Sequence, residues 1–165
     1  MTWIAERASG QSIRTLVESL WSKLGCERDG YFINDAKGKV CTGAGFNATL
    51  RDMARFALMI SKKGQWNGGQ LLAADTVDRL FQGPDPVHYG LNKDYSQWTP
   101  GASSRSQWYV HADESIMAVG IHGQIIYINK PCNVVVIKQS SAPEAESPLD
   151  LDTVVMLKTI AEHLA

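Results

Sequence analysis

At 165 residues, 44% of them hydrophobic, the chain has the length of about one domain and enough apolar side chains to build its own core. Sixteen basic and 17 acidic residues leave a net charge of -1 without a long run of either sign, which excludes the electrostatic footprint of a nucleic-acid or anionic-membrane binder and suits small neutral or mixed-charge ligands. No stretch approaches the ~20 apolar residues that span a bilayer, and Cys26, Cys41 and Cys132, odd in number and without Cys-x-x-Cys spacing, read as reduced thiols of a cytoplasmic protein.

Residues 1–7 read as helix interior, with no capping residue before the apolar pattern, so further polypeptide is expected upstream. A signal peptide lost with that upstream part would change the expected location. Gly10 breaks this stub, and Ser12 caps a segment in which Ile13, Leu16, Val17, Leu20 and Leu24 recur at helical spacing until Gly25. Residues 31–33 and 39–41 flank the turn-rich tetrapeptide 35–38, which predicts a small peripheral hairpin. Thr49 stands three residues before Asp52, a capping-box-like start, and Leu50, Met53, Ala54, Ala57 and Ile60 then line one helix face until Gly64. A short helix over 74–81 is followed by an irregular stretch, 83–106, that carries Pro84, Pro86 and Pro100; such a stretch is a binding or lid loop, or else flexible.

From residue 107 the texture changes. The β-rich runs 107–112, 116–122, 124–129 and 134–139 predict an antiparallel meander. Leu151, Val154, Val155, Leu157, Ile160, Ala161 and Leu164 then put an apolar stripe on a closing helix. The expected fold is α+β, an antiparallel sheet of about four strands packed by the C-terminal helix, with the remaining helices to one side.

Motifs that stand alone are missing: no HExxH, no Gly-x-Ser-x-Gly, no GxxxxGK[ST], and no GxGxxG that opens a helix. Only His111 and His122 of the four histidines fall on neighbouring runs, so no metal is expected. The feature that remains is 120–127, a strand interrupted by glycine, which marks either a bulge or tight crossing or the close approach of a ligand.

The block Gly45-Phe46-Asn47-Ala48-Thr49-Leu50-Arg51-Asp52-Met53-Ala54-Arg55-Phe56, then Gly120-Ile121-His122-Gly123-Gln124 and a strand-turn-strand into a helix, resembles the β-lactamase and penicillin-binding-protein superfamily of serine hydrolases. Within it the likeness is nearest to the 6-aminohexanoate-dimer hydrolase and esterase-like branch. The opening Trp3-Ile4-Ala5-Glu6-Arg7-Ala8-Ser9-Gly10 looks like the helix after that family's Tyr-x-Asn motif. The resemblance implies acyl transfer at amide or ester bonds with no cofactor. His122, Gly123 and Gln124 fall on the third motif, the N–H of Ile125 would serve the oxyanion hole, and Phe46 and Asn47 would face the substrate. Asn47 has an equally plain alternative role near the start of the helix. Tyr89, Trp98, Trp108 and Tyr109 either wall the pocket or pack in the core. His122 stands where the family commonly has lysine, which makes a β-lactam substrate less expected.

The departures matter as much. No serine has lysine three positions later: Ser19 is followed by Ser22, Ser22 by Gly25 and Ser61 by Gly64. Tyr127-Ile128-Asn129 spells Tyr-x-Asn on the wrong side of the His-Gly motif and is taken as coincidence. Residues 1–165 are therefore expected to be a partial domain that lacks the N-terminal part with the nucleophile and is inactive alone. The alternative is a non-catalytic remnant that binds a partner or dimerises through the face left open.

Overall fold

The computed structural model describes residues 2–97, 99–145 and 149–165; Met1, Trp98, residues 146–148 and the side chains at 94, 95 and 149–151 lie outside the described set. Helix α1 (Thr2–Ser9) leads into α2 (Ile13–Leu24). Ser12 accepts the N–H of Thr15 at the start of α2, and Gly25 ends it at φ 65°, where a side chain would be strained. The expected hairpin is rearranged. Strand β1 (Tyr31–Phe32) pairs with β2 (Phe46–Asn47), and the 39–41 segment touches back only through a bridge between Asn34 and Val40. Ring packing accounts for the choice: Phe46 lies 4.8 Å from Phe32 and 5.1 Å from Trp21, contacts that the shorter pairing would not make.

Thr49 caps α3 (Leu50–Ser61) as its spacing predicts, accepting the N–H of Asp52. The Asp52 carboxylate is fully buried and accepts the N–H groups of Glu27 and Arg28, the Thr49 hydroxyl and the Arg55 guanidinium, so it ties the end of α2 to the start of α3. Burial opposes its charge, yet these donors hold its pKa below the usual carboxylate range. The hairpin β3 (Gln65–Trp66) to β4 (Gly69–Gln70) and α4 (Ala74–Leu80) follow.

Part of the stretch expected to be irregular is regular. It holds α5 (Pro86–Gly90), α6 (Lys93–Ser96) and β5 (Ser103–Arg105). Strand β5 adds a fifth member to the predicted sheet, completed by β6 (Trp108–Val110), β7 (Ser115–Gly120), β8 (Gln124–Asn129) and β9 (Val134–Lys138), antiparallel and in sequence order. Two residues, Ser106 and Gln107, make the β5–β6 turn, both at positive φ (51° and 68°). A turn of this hand joins strands tightly, but it is usually announced by Asn-Gly or Asp-Gly, so its sequence is silent.

Helix α7 (Leu149–Leu164) closes the chain. Side-chain alternation gives the sheet two apolar faces. Ile116 and Ile128 point to a core with Leu24, Ala57, Met59, Ile60 and Val77, whereas Met117, Ile125 and Tyr127 point to a second core with Val154, Leu157 and Ala161. The result is α+β, an antiparallel sheet with α7 on one face and α3 with α2 and α4 on the other. No described helix is long and apolar enough to cross a membrane.

Candidate active site

Residues 121–123 form a 3-10 turn between β7 and β8, so the glycine-bearing stretch 120–127 is the turn between the two expected runs followed by β8. The turn is tight because His122 (φ 60°) and Gly123 (φ 80°) are both left-handed. A Cβ on Gly123 would lie 2.7 Å from Lys138 Nζ, the far end of a flexible side chain that can give way, so glycine is required there mainly by its left-handed φ.

The turn is pinned on several sides. Lys138 Nζ donates to the Gly123 carbonyl at 3.0 Å. The Gln124 amide donates to the Ser140 carbonyl and accepts the Ser140 N–H at 3.3 Å. His122 donates its N–H to the Ala145 carbonyl, and its Nδ1 lies 2.9 Å from the Ala142 carbonyl. A carbonyl accepts only, so Nδ1 carries the proton, and in the neutral ring Nε2 is left as an acceptor. Much of the hydrogen-bonding capacity of His122 and Gln124 is thus spent on holding the turn.

Opposite the turn stands the β1–β2 ribbon. Phe46, Asn47 and Ala48 and the ends of β7 and β8 line a cavity of about 460 Å³ that also includes Ile121, His122, Gln124 and Ile125. Phe46 and Asn47, 74 or more residues from the turn in sequence, therefore share one concavity with it. Asn47 Nδ2 donates to the Gly45 carbonyl at 3.1 Å, and the helix start is capped by Thr49, not by Asn47. Gln139 reaches from the end of β9 to the Ala48 carbonyl at 2.9 Å and joins the two walls.

The oxyanion donor expected at Ile125 needs correction. Strand β8 is not an edge: Ile125 is in register with Val119 of β7 and with Lys138 of β9. Gly120 and Gln124 are the last ladder pair before a three-residue turn, so they exchange hydrogen bonds directly, and alternation then points the N–H of Ile125 at Lys138. That amide is consumed within the sheet.

The same alternation finds an open edge on β7. Its odd-numbered residues face β6, as the bond from the His111 N–H to the Ser115 carbonyl shows. Strand β6 reaches only as far as the pair Tyr109–Met117. Beyond it, the Val119 N–H and carbonyl and the N–H of Ile121 point away from β8, with no hydrogen-bond partner among the described residues. Val119, Gly120 and Ile121 are exposed and line the cavity. Sequence reasoning missed this edge, though a signal existed: the 107–112 run is too short to pair with all of 116–122.

Other candidates lie elsewhere. Trp108 is in the α3-side core, Tyr109 packs beside the α7-side core with Tyr89 edge-on at 5.9 Å, and none of the three lines the cavity. Trp98 lies outside the described residues. Tyr127 is fully buried, and its hydroxyl accepts from Asn129 Nδ2 at 3.1 Å, an internal contact of β8. His111 and His122 stand near opposite ends of β7, and among the described residues no group of three or more His, Cys, Asp or Glu side chains could hold a metal ion. The Cys26 thiol is pushed up to about 11 by burial and by the neighbouring Asp52 charge, which leaves it inert as a nucleophile at neutral pH.

This architecture is shared with β-lactamase-like proteins of known structure. No protein-family model matches the chain. It is similar to the 6-aminohexanoate-dimer hydrolase of Paenarthrobacter ureafaciens, with 27% identity over 150 residues, 89% of this chain and 38% of that protein. Among solved structures, a Bacillus anthracis protein assigned as a 6-aminohexanoate-dimer hydrolase superposes with a TM-score of 0.79 and 27% identity over 99% of this chain and 41% of its own. A β-lactamase-type protein from Bacteroides dorei shares the fold at a TM-score of 0.64 and 21% identity, over 94% of this chain and 54% of its own. The chain spans well under half the length of the 6-aminohexanoate-dimer hydrolases that it matches.

Proposed function

We propose that this chain supplies one wall of the active site of a serine hydrolase that acts on amide or ester bonds by acyl transfer. The observation that carries the reading is the open edge of β7, facing Asn47 across the cavity. An amide or ester substrate laid along that edge can donate to the Val119 carbonyl and accept from its N–H, as an added strand would. The N–H of Ile121, pointing the same way one pleat on, is placed to bind the oxygen that becomes negative when a carbonyl is attacked. Asn47 offers its side-chain oxygen to a substrate N–H, and Phe46 packs behind it. His122, Gly123 and Gln124 position the edge by fixing the turn; Ile125 plays no part beyond the ladder.

What the chain does not supply is a nucleophile with its base. No Ser-x-x-Lys exists in the sequence, so the isolated chain is expected to hydrolyse neither amides nor esters above background. A fluorophosphonate probe followed by intact-mass measurement tests this; stoichiometric labelling of one serine would overturn the claim of inactivity. Hydrogen exchange tests the edge: the amides of Val119 and Ile121 should exchange far faster than that of Ile125, and equal protection would remove the proposed donor.

A second reading, a non-catalytic remnant of the fold that binds a partner or pairs with itself, draws on the exposed apolar residues Trp3, Ile4, Tyr31 and Ile33. Light scattering at high concentration separates the two, since a monodisperse monomer argues against self-pairing.

A further inference from the structure

At the end of the sheet away from the 121–123 turn, the row of side chains under α7 is polar. The β6–β7 register, Tyr109 with Met117, places His111 opposite Ser115 when continued by two residues, and the His111 N–H does donate to the Ser115 carbonyl at 2.9 Å. Ser115 stands opposite Asn129, so these three share the face that carries Met117 and Tyr127 toward α7. His111, Ser115 and Asn129 are 7%, 0% and 6% exposed. The Ser115 hydroxyl donates to the Asp113 carboxylate, Asn129 Oδ1 accepts the Cys132 N–H, and Asn129 Nδ2 donates to the Tyr127 hydroxyl. In this row only His111 Nε2 is sealed without a partner among the described residues.

An ion pair ties α7 to the same end. Lys158, on α7, reaches Asp113 in the β6–β7 turn at 3.2 Å. These are also the two charges that act on the His111 ring, the ammonium opposing its protonation and the carboxylate favouring it. Strands β7 and β8 present the neutral Ser115 and Asn129 beside it, and Glu114, the other carboxylate of the turn, is exposed. Helix α7 packs on the sheet through Val154, Leu157 and Ala161 and takes no place in the strand ladder, so it can open while the strands stay paired.

We infer that His111 is a proton-operated latch for α7: its ring takes up a proton only as the helix loosens from this end of the sheet. A protonated ring donates from both nitrogens, and a charge sealed without an acceptor is costly. Water reaches Nε2 only if its cover moves. Asp113 already accepts the Ser115 hydroxyl, the Ser115 N–H and the Lys158 ammonium, so it can serve the new charge only by leaving Lys158. Either route undoes the tie to α7. Burial and Lys158 hold the His111 pKa below its ordinary value, so the latch is closed at neutral pH and is strained as pH falls through the ordinary histidine range. Asp113, its own pKa lowered, is still charged there. The device is independent of the hydrolase reading.

Amide exchange of the 165-residue chain tests the latch, read as protection factors so that the chemical pH dependence of exchange cancels. Between pH 7 and 5 the protection of the Leu157 and Ala161 amides should fall about threefold or more beyond any fall at Tyr127 and Ile128 of β8. His111→Asn should abolish that excess. Lys158→Met changes no core residue; it should loosen α7 alike at both pH values and shrink the excess, because the charge that opposes the proton is gone. If His111→Asn does not fold, Lys158→Met decides by itself. An equal fall in α7 and β8, no fall at either, or an excess that is unchanged in Lys158→Met or survives in a folded His111→Asn would each overturn the inference.

Discussion

The sheet with its two helical layers and the flank built from α1, α2 and the β1–β2 ribbon use similar apolar residues to opposite effect. In the sheet, Ile116, Ile128, Tyr127 and Leu157 are fully enclosed or nearly so; on the flank, Ile4 and Ile33 stay more than half exposed and Val17 is only partly buried. Apolar side chains alone therefore do not make a core. They need a second layer at packing distance, which α3 and α7 provide for the sheet and nothing described provides for the outer side of α1 and α2. The candidate site lies at the seam between a covered layer and an open one.

The largest expected effect would break this contrast directly. Ile128→Ala removes a fully buried side chain of the α3-side core and should cost about 3 kcal/mol in a urea titration. A cost below ~1 kcal/mol would mean that the sheet is as loosely covered as the flank. Next comes the link between the regions. Asp52→Ala leaves the amides of Glu27 and Arg28 without their acceptor and removes one of the two carboxylates that Arg55 pairs with, and should cost about 2 kcal/mol. Loosening of α2 against α3, visible as faster exchange at residues 26–28, should accompany it.

A smaller effect sharpens the view of the α7 layer. His111 is buried, its Nε2 has no partner among the described residues, and burial first, then the Lys158 charge, push its pKa down, with Asp113 opposing them. The neutral ring is the folded form. As pH falls through about 6.5 the unfolded chain gains a proton that the folded chain refuses, so stability drops until the folded pKa is passed. His111→Asn should flatten the stability curve between pH 7 and 5. The buried or paired carboxylates Asp52 and Asp113 have lowered pKa values, so their contribution is lost only further into acid. The smallest effect is expected on the open flank, where Val17→Ala should change the stability of the free chain by no more than about 0.5 kcal/mol. A cost near that of Ile128→Ala would show that the flank is already covered.

Periodicity and caps in the sequence determined most elements by themselves: Ser12 and Gly25 bound α2, Thr49 starts α3, and four β-rich runs become β6 to β9. These signals are local, because hydrogen bonds within a turn and side-chain alternation along one segment need no distant partner. The family likeness was legible for the same reason, carried by short ordered blocks. Tertiary structure decided the pairings. It gave β1 to β2, where three aromatic rings pack edge-on or tilted against one another, and added β5 through a turn without glycine. It also moved the open amides from Ile125 to Val119 and Ile121, since whether an N–H is free depends on which strand lies beside it and how far that strand extends. No residue carries that information in its own side chain.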